Sequence, residues 1–442
     1  MSQANICVVD INPIIDNAKL NNMHRLTVLW CAFIIVFDGF DLAVLGVVLP
    51  ELMVNWGITA AQAGLLGSYT LVGMMLGAIL LGPLSDKIGR KKTISLCIIT
   101  FSLFTFLCGF SVNAGQFGWC RFIAGMGLGG VMPSVTALTS EYSPKSKRSL
   151  MVGLMFSGYS IGGMLAALSG IYLIPVAGWQ SIFYIAALPL IVLPWMLSHL
   201  PESAAFLVKT EQHDRLKRLL EKIAPDYIHQ PGTKFISSSS AGIKAGKATL
   251  KDLFAERRGL STLMFWLVFF MSLFVIYGMT SWLPKLMLQA GYPLGSSLSF
   301  LFALHLGTIV GALSSCWLMD RMNGRRILIG YFLLGAATLV LLGTQTPVYI
   351  LYSLLIIAGA STIGTQIAMS SYVARFYPGT MTSTGLGWGL GIGRIGAILG
   401  PFMGGVLIDS ELTLQQNFMA FALPSLLAAV CLLFVNPRLA AS

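Results

Sequence analysis

The chain has 442 residues, of which 56% are hydrophobic and only 10% charged. A soluble globular protein carries about 25% charged residues, so the composition excludes that class. The net charge of +11 would suit a nucleic-acid partner if it were spread over one surface. Instead, all but three of the Lys and Arg residues fall in polar connections between apolar runs, which is the positive-inside pattern of a polytopic membrane protein.

Segments of about 20 apolar residues predict twelve spans. In chain order they cover residues 25–50, 60–82, 93–111, 116–140, 149–173, 180–200, 260–288, 297–319, 327–344, 347–373, 384–408 and 414–436. The first 24 residues are polar, and no small-residue cleavage site follows the first apolar run, so span one is expected to stay in the mature protein. The parity of the basic connections places both termini in the cytoplasm. Six cysteines (Cys31, Cys97, Cys108, Cys120, Cys316, Cys431) fall inside spans without a CxxC pair, which reads as buried small hydrophobes rather than a disulfide frame or a metal site.

Span one contains Asp38 and Asp41. A carboxylate at bilayer depth costs on the order of 3 kcal/mol, so two of them argue for a job. Their i, i+3 spacing sets both on one helix face, toward a protein interior or an aqueous cavity. Outside the connections, the Lys and Arg residues reduce to Arg121, Lys285 and Arg394. Lys285 follows Trp282-Leu-Pro284 near the far end of span seven and can snorkel to the interface. The two arginines lie inside spans four and eleven.

Residues 201–258 carry a large share of the positive charge, a Pro225-Asp226 break and the serine run Ser237–Ser240, which predicts a short helix followed by flexible chain. The expected organisation is an N-terminal segment 1–24, a six-helix bundle 25–200, a central loop 201–258, a second six-helix bundle 259–436 and a tail 437–442. An internal repeat supports the split. The connection after span two reads Gly82-Pro-Leu-Ser-Asp86-Lys-Ile-Gly89-Arg90-Lys91-Lys92, and that after span eight reads Asp320-Arg321-Met-Asn-Gly324-Arg325-Arg326.

Twelve spans in two halves, with G-x-L-S-D-x-x-G-R-K-K after the second, resemble the major facilitator superfamily of secondary transporters. Pro201-Glu202-Ser203 after span six is similar to a motif of that superfamily, and so is Arg121-Phe-Ile-Ala-Gly125-Met-Gly127-Leu-Gly129-Gly130 in span four. Asp38-Gly39-Phe40-Asp41 together with Arg394 resembles its aromatic acid:proton symporters, whose members carry benzoate, hydroxybenzoates and related acids. The stretch from Leu29 to Leu42 most resembles the benzoate branch. The resemblance implies an all-α membrane protein with twelve transmembrane helices in two pseudo-symmetric six-helix bundles.

On that basis Asp86, Arg90, Asp320 and Arg325 are expected to gate the cytoplasmic side, with Gly82 and Gly89 allowing close approach and a turn. Their bland reading is a positive-inside anchor. Glu141 either joins the gate network or is a solvated helix end. The glycines after Arg121 are expected to pack against span one and bring the cation to the Asp pair, either to couple protonation to conformation or as a structural ion pair. Arg394, near mid-membrane, has two partners open to it: a substrate carboxylate or a permanent Asp38 or Asp41. Trp388, Phe37, Phe40, Tyr277 and Trp282 are candidate stacking faces for a benzene ring, each with packing as the alternative. His305 is a proton relay, a donor to substrate, or a hydrogen-bonded packing residue.

The expected function is proton-coupled import of an aromatic carboxylate through the inner membrane by alternating access, with no cofactor, no metal and no nucleic-acid partner, in a monomer embedded in lipid. No G-x-x-x-x-G-K-[ST] sequence is present, so the energy must come from a gradient. Three other readings stand beside it: a carrier of another small organic anion such as muconate or gallate, an exporter of the same fold, and a receptor that senses aromatic acids. An enzyme is the weakest, because no nucleophile has an obvious base partner. Which aspartate carries the proton is open.

Overall fold

The structure is a computed structural model and describes residues 8–224, 234–236, 250–344, 346–378 and 381–440. Twelve helices are long and apolar enough to cross a membrane: Asn22–Trp56, Ala60–Ile88, Arg90–Cys108, Ala114–Glu141, Arg148–Ala177, Gln180–His199, Gly259–Gln289, Leu294–Met319, Gly324–Leu342, Val348–Phe376, Thr382–Asp409 and Leu414–Leu433. They form two six-helix bundles. Several of them overshoot the apolar windows, because local caps rather than hydropathy end them. Asn21 accepts from the Met23 and His24 N–H groups to start span one, and Gly57, in the left-handed region with φ 59°, stops it.

The signature connection after span two is the largest departure from the expected loop. Span two runs through Ile88, and the turn is reduced to Gly89 with φ 98°, after which span three begins at Arg90. Glycine is needed at position 89, where a side chain would be strained. It is not needed sterically at 82, where a Cβ would meet nothing within 4 Å, so the close approach expected at Gly82 does not occur.

Two spans are broken. Span six divides into Gln180–Ile185 and Leu188–His199, with Pro189 in the first turn of the second piece, where its missing N–H is harmless. Span ten divides at Thr362, where the Ser361 and Thr362 hydroxyls bond back to the Ile357 and Ala358 carbonyls and compete with the helix ladder. In the central connection, helices Ala204–Lys209 and His213–Ile223 are present, and Asn21 donates to the Lys222 and Ile223 carbonyls. Strand β1 (Val8–Asp10) pairs in parallel with β2 (Lys234–Ile236). The expected Pro225-Asp226 break and Ser237–Ser240 run lie outside the described residues.

The core distinguishes the two faces of the molecule. On the face away from the basic connections one hydrophobic cluster joins both bundles, with Val44, Val48 and Leu52 packed in common with Trp282, Leu298 and Phe418. Toward the basic face the core separates. One cluster belongs mainly to the first bundle and the central connection, and another, from Leu253 to Val435, to the second bundle alone. Apolar packing between the bundles is therefore concentrated at one end, while toward the other only Leu273, Ile276, Ile363 and Ala397 of the second bundle join the first bundle's cluster.

Candidate functional site

Close helix crossings bring the intramembrane charges together. Span five packs on span one so tightly that a Cβ at Gly39 would stand 2.1 Å from the Tyr159 carbonyl oxygen, which fixes Asp38 beside Tyr159. By the rise of about 1.5 Å per residue, Asp38, Tyr159 and Arg394 lie roughly 22–27 Å from the opposite-face ends of their helices. Tyr159 lies beside Tyr277 of span seven, and both Asp38 and Arg394 act on it electrostatically. The two tyrosines come from different bundles. Sequence reasoning missed Tyr159, whose signal is only its place four residues before Gly163.

The two aspartates differ completely in their partners. Arg121 Nη1 donates to Asp41 Oδ1 at 2.8 Å, Nη2 to the Asp41 carbonyl at 2.9 Å and Nε to Thr70 Oγ1 at 3.0 Å. Thr105 of span three donates to the same Asp41 oxygen. Arg121 and Asp41 are 1% and 2% exposed, so this is a buried ion pair inside the first bundle. Both oxygens of Asp38 are buried without a hydrogen-bond partner among the described residues. Arg394 is the positive group that acts on it electrostatically.

The route by which Arg121 arrives differs from the expected one. Gly125 and Gly129 pack against span two, where a Cβ would stand 2.1 Å from the Thr70 carbonyl oxygen and 2.0 Å from that of Met74, while Gly127 meets Cys97 and Phe101 of span three. The long Arg121 side chain passes Thr70 to reach Asp41 of span one, and nearer the opposite face Phe117 of span four packs on Trp56 of span one, with ring centroids 5.5 Å apart. Close backbone approach thus belongs to spans two and three.

Arg394 is half-buried, and its Nη1 lies 3.9 Å from the Met74 thioether. Among the described residues no carboxylate forms an ion pair with it. Asp41 is bridged to Arg121 through Oδ1, and its Oδ2 is buried without a hydrogen-bond partner among the described residues. His305 is 2% exposed, lies flat on Gly163 of span five, and has neither ring nitrogen hydrogen-bonded. Gln366, four residues past the break in span ten, has both amide atoms buried without a partner. Nothing in its sequence neighbourhood singled it out.

The aromatic candidates separate. Phe40 packs among residues of both bundles in the shared cluster, its ring 6.1 Å from that of Phe37. Trp282 is fully buried, with its indole N–H donated to the Pro401 carbonyl at 2.6 Å, so it is spent on packing in the half where the bundles pack together. Trp388 does not join the centre. It is 44% exposed and stacks on Trp266, with ring centroids 5.9 Å apart, on the outer flank of span eleven.

At the basic face Arg90 lies 3.8 Å from Glu141, which also accepts from the Ser203 hydroxyl and the Ala205 N–H. Glu202, which the sequence offered only as part of the Pro201-Glu202-Ser203 motif with no role of its own, holds the corner together. Its carboxylate accepts from the Arg90 and Lys91 N–H groups at 2.7 and 3.1 Å, capping span three. The Tyr142 hydroxyl donates to the Glu202 carbonyl, and burial pushes its pKa well above the ordinary value, keeping the proton in place. Asp86 is exposed and outside this network. Only its backbone carbonyl is engaged, accepting from Lys209. In the second copy Arg325 donates to the Val435 carbonyl at 2.7 Å. The Asp320 side chain lies outside the described residues.

A family model described as the Major Facilitator Superfamily matches residues 31–315 and 296–442. The benzoate transport protein of Acinetobacter baylyi is 45% identical, over 97% of this chain and 93% of that protein. The gentisate transporter of Corynebacterium glutamicum is 38% identical over 90% and 85%. The 4-hydroxybenzoate transporter PcaK of Pseudomonas putida is 35% identical over 96% and 94%. Among solved structures, the xylose transporter XylE of E. coli, partially occluded and inward open, superposes with TM-score 0.74 at 15% identity over 93% of this chain and 97% of that one. A bacterial homolog of the human lysosomal transporter Spinster gives 0.72 at 17% identity over 95% and 98%.

Proposed function

The chain belongs to the Major Facilitator Superfamily, and from that premise we propose that it imports an aromatic carboxylate of the benzoate or hydroxybenzoate class together with protons. The observation that carries this reading is Arg394, a guanidinium deep in the membrane with no carboxylate partner among the described residues. Its planar fork of donors suits a substrate carboxylate, and the benzoate and hydroxybenzoate transporters it resembles supply the ring. Gentisate and gallate carriers among the relatives make a hydroxylated ring the second reading.

Coupling follows from charge balance. Asp41 is committed to Arg121, whereas Asp38 and a bound carboxylate would compete for the one cation Arg394. When the substrate anion takes Arg394, an ionised Asp38 would be left buried and uncompensated, a penalty of several kcal/mol. Taking up a proton removes it. Asp38 is therefore assigned the transported proton, and Arg121–Asp41 a structural role.

With the basic face in the cytoplasm and both termini there, the face where the bundles pack together is external and this state opens inward. Substrate and proton enter when the external seam parts, the neutral occupied site permits the bundles to rock, and both are released inside. Protons are needed because inward movement of a lone anion works against the membrane potential by about 2.3 kcal/mol per 100 mV. The protein acts as a monomer in the inner membrane. Uptake of a panel of radiolabelled aromatic and aliphatic acids, with and without a protonophore, tests the proposal. Benzoate-class acids should accumulate and the protonophore should abolish it; uptake indifferent to the protonophore would refute coupling.

A further inference from the structure

The face where the bundles pack together carries a polar contact that the expected gate at the basic face does not include. Asp409 is the last residue of span eleven, in the second bundle, and its side chain crosses to the first. Its two carboxylate oxygens accept separately from the Ala60 N–H at 2.9 Å and the Ala61 N–H at 2.7 Å, the first two residues of span two. Span two's own cap, Thr59, accepts only from Gln62, so two of the free N–H groups at this helix start are satisfied only across the bundle boundary. The carboxylate also meets the positive end of the helix dipole.

Beneath this contact the two spans touch backbone to backbone. A Cβ at Gly405 would stand 2.2 Å from the Ala60 carbonyl oxygen, and one at Gly64 would stand 2.4 Å from that of Pro401. Two turns further in, the Ser68 hydroxyl donates to the Ile398 carbonyl at 2.6 Å. Where spans two and eleven cross, the seam is made of small residues, so a directional bond at its rim adds to the shared apolar cluster in holding this face shut.

We propose that Asp409 is the external latch of the transport cycle, bonded to the start of span two in the inward-open state and released when the outer halves separate. Release exposes a carboxylate and two N–H groups at the rim, where water replaces each bond, so the latch is reversible in a way that the buried Arg121–Asp41 pair is not. The proposal rests on the alternating-access reading. Its tests need neither substrate nor a proton gradient, so its failure is separable from a failure of that reading.

The test uses the full chain with its native cysteines replaced and Ser68→Cys as reporter, in right-side-out vesicles treated with a membrane-impermeant maleimide. Asp409→Asn keeps one acceptor oxygen but loses the charge and the second bond, and is expected to raise the labelling rate about tenfold. Glu411→Gln, a neighbouring exposed carboxylate, is expected to leave it unchanged. A nitroxide pair at Lys92→Cys and Arg326→Cys, at the basic ends of the two bundles, should shift to shorter distance in Asp409→Asn as that side closes. Unchanged labelling, an equal rise in Glu411→Gln, or a distance distribution that only broadens would each overturn the latch.

Discussion

Asp38 and Asp41 sit one turn apart on one helix, yet they show two ways of keeping charge inside a membrane. Asp41 is bonded to Arg121, and Thr70, Thr105 and the Asp41 carbonyl complete the knot, with every partner in the first bundle. Asp38 has no hydrogen-bond partner among the described residues, and the cation acting on it, Arg394, belongs to the second bundle. A charge paired within one rigid body keeps the same surroundings when bundles move. A charge balanced across the boundary is exposed to every change in the bundles' relation and in what lies between them. The proposed division into scaffold and coupling rests on that difference rather than on sequence motifs.

The largest expected effect tests the scaffold half of that contrast. Arg121→Ala leaves Asp41 buried and uncompensated, and should destabilise the protein by about 3–5 kcal/mol. Thermal unfolding in detergent would record it, and the double variant Arg121→Gln/Asp41→Asn should recover part of the loss. An unfolding midpoint equal to the parent's would mean that the pair is not structural. Arg394→Ala should behave oppositely: unfolding unchanged, because no ion pair is broken, and binding of benzoate-class acids weakened by about 2–3 kcal/mol, the range for a charge-assisted hydrogen bond. Retained affinity would remove Arg394 from the substrate site.

Asp38→Asn carries a smaller but more specific effect. The parent should accumulate substrate about tenfold more for each pH unit, acid outside, because one pH unit supplies about 1.4 kcal/mol per proton. The variant should lose that pH-driven increment while still exchanging labelled for unlabelled substrate. If it is Asp41→Asn that loses the increment with its fold intact, the assignments of the two aspartates must be exchanged.

What was legible in the sequence was what is local. The spans and the buried charges follow from composition and spacing, and the structure has all twelve helices among its described residues. Partner identity was not legible. Arg121, Gly125 and Gly129 share one face, and that periodicity says a helix packs there without saying which; it is span two, with Arg121 reaching beyond Thr70 to Asp41. Gly82 and Gly89 looked alike in the motif, yet only Gly89 has a backbone that demands glycine. Tyr159 and Glu202 gain their positions from long-range contacts that no window of sequence contains. Asp409 looked like an ordinary helix end.

Trp388 carries the smallest expected effect and sharpens the boundary of the site. Its indole and the Arg394 side chain lie on one helix, separated by about 120° around the axis at 3.6 residues per turn, so they point to different faces. Thr384, Gly387 and Gly391 line a shallow surface depression with it, and Trp266 covers one face of the ring at an interplanar angle of 29°. An aromatic pair on an exposed flank is anchored by its own stacking, worth about 0.5–1.5 kcal/mol, and owes nothing to a substrate in the centre. Trp388→Ala should therefore leave substrate affinity within about twofold, as exposed substitutions away from a site do. It should lower the unfolding midpoint slightly, and Trp266→Ala should do the same without adding to it. A tenfold loss of affinity with the fold intact would move the ring-binding face to this flank and detach it from Asp38.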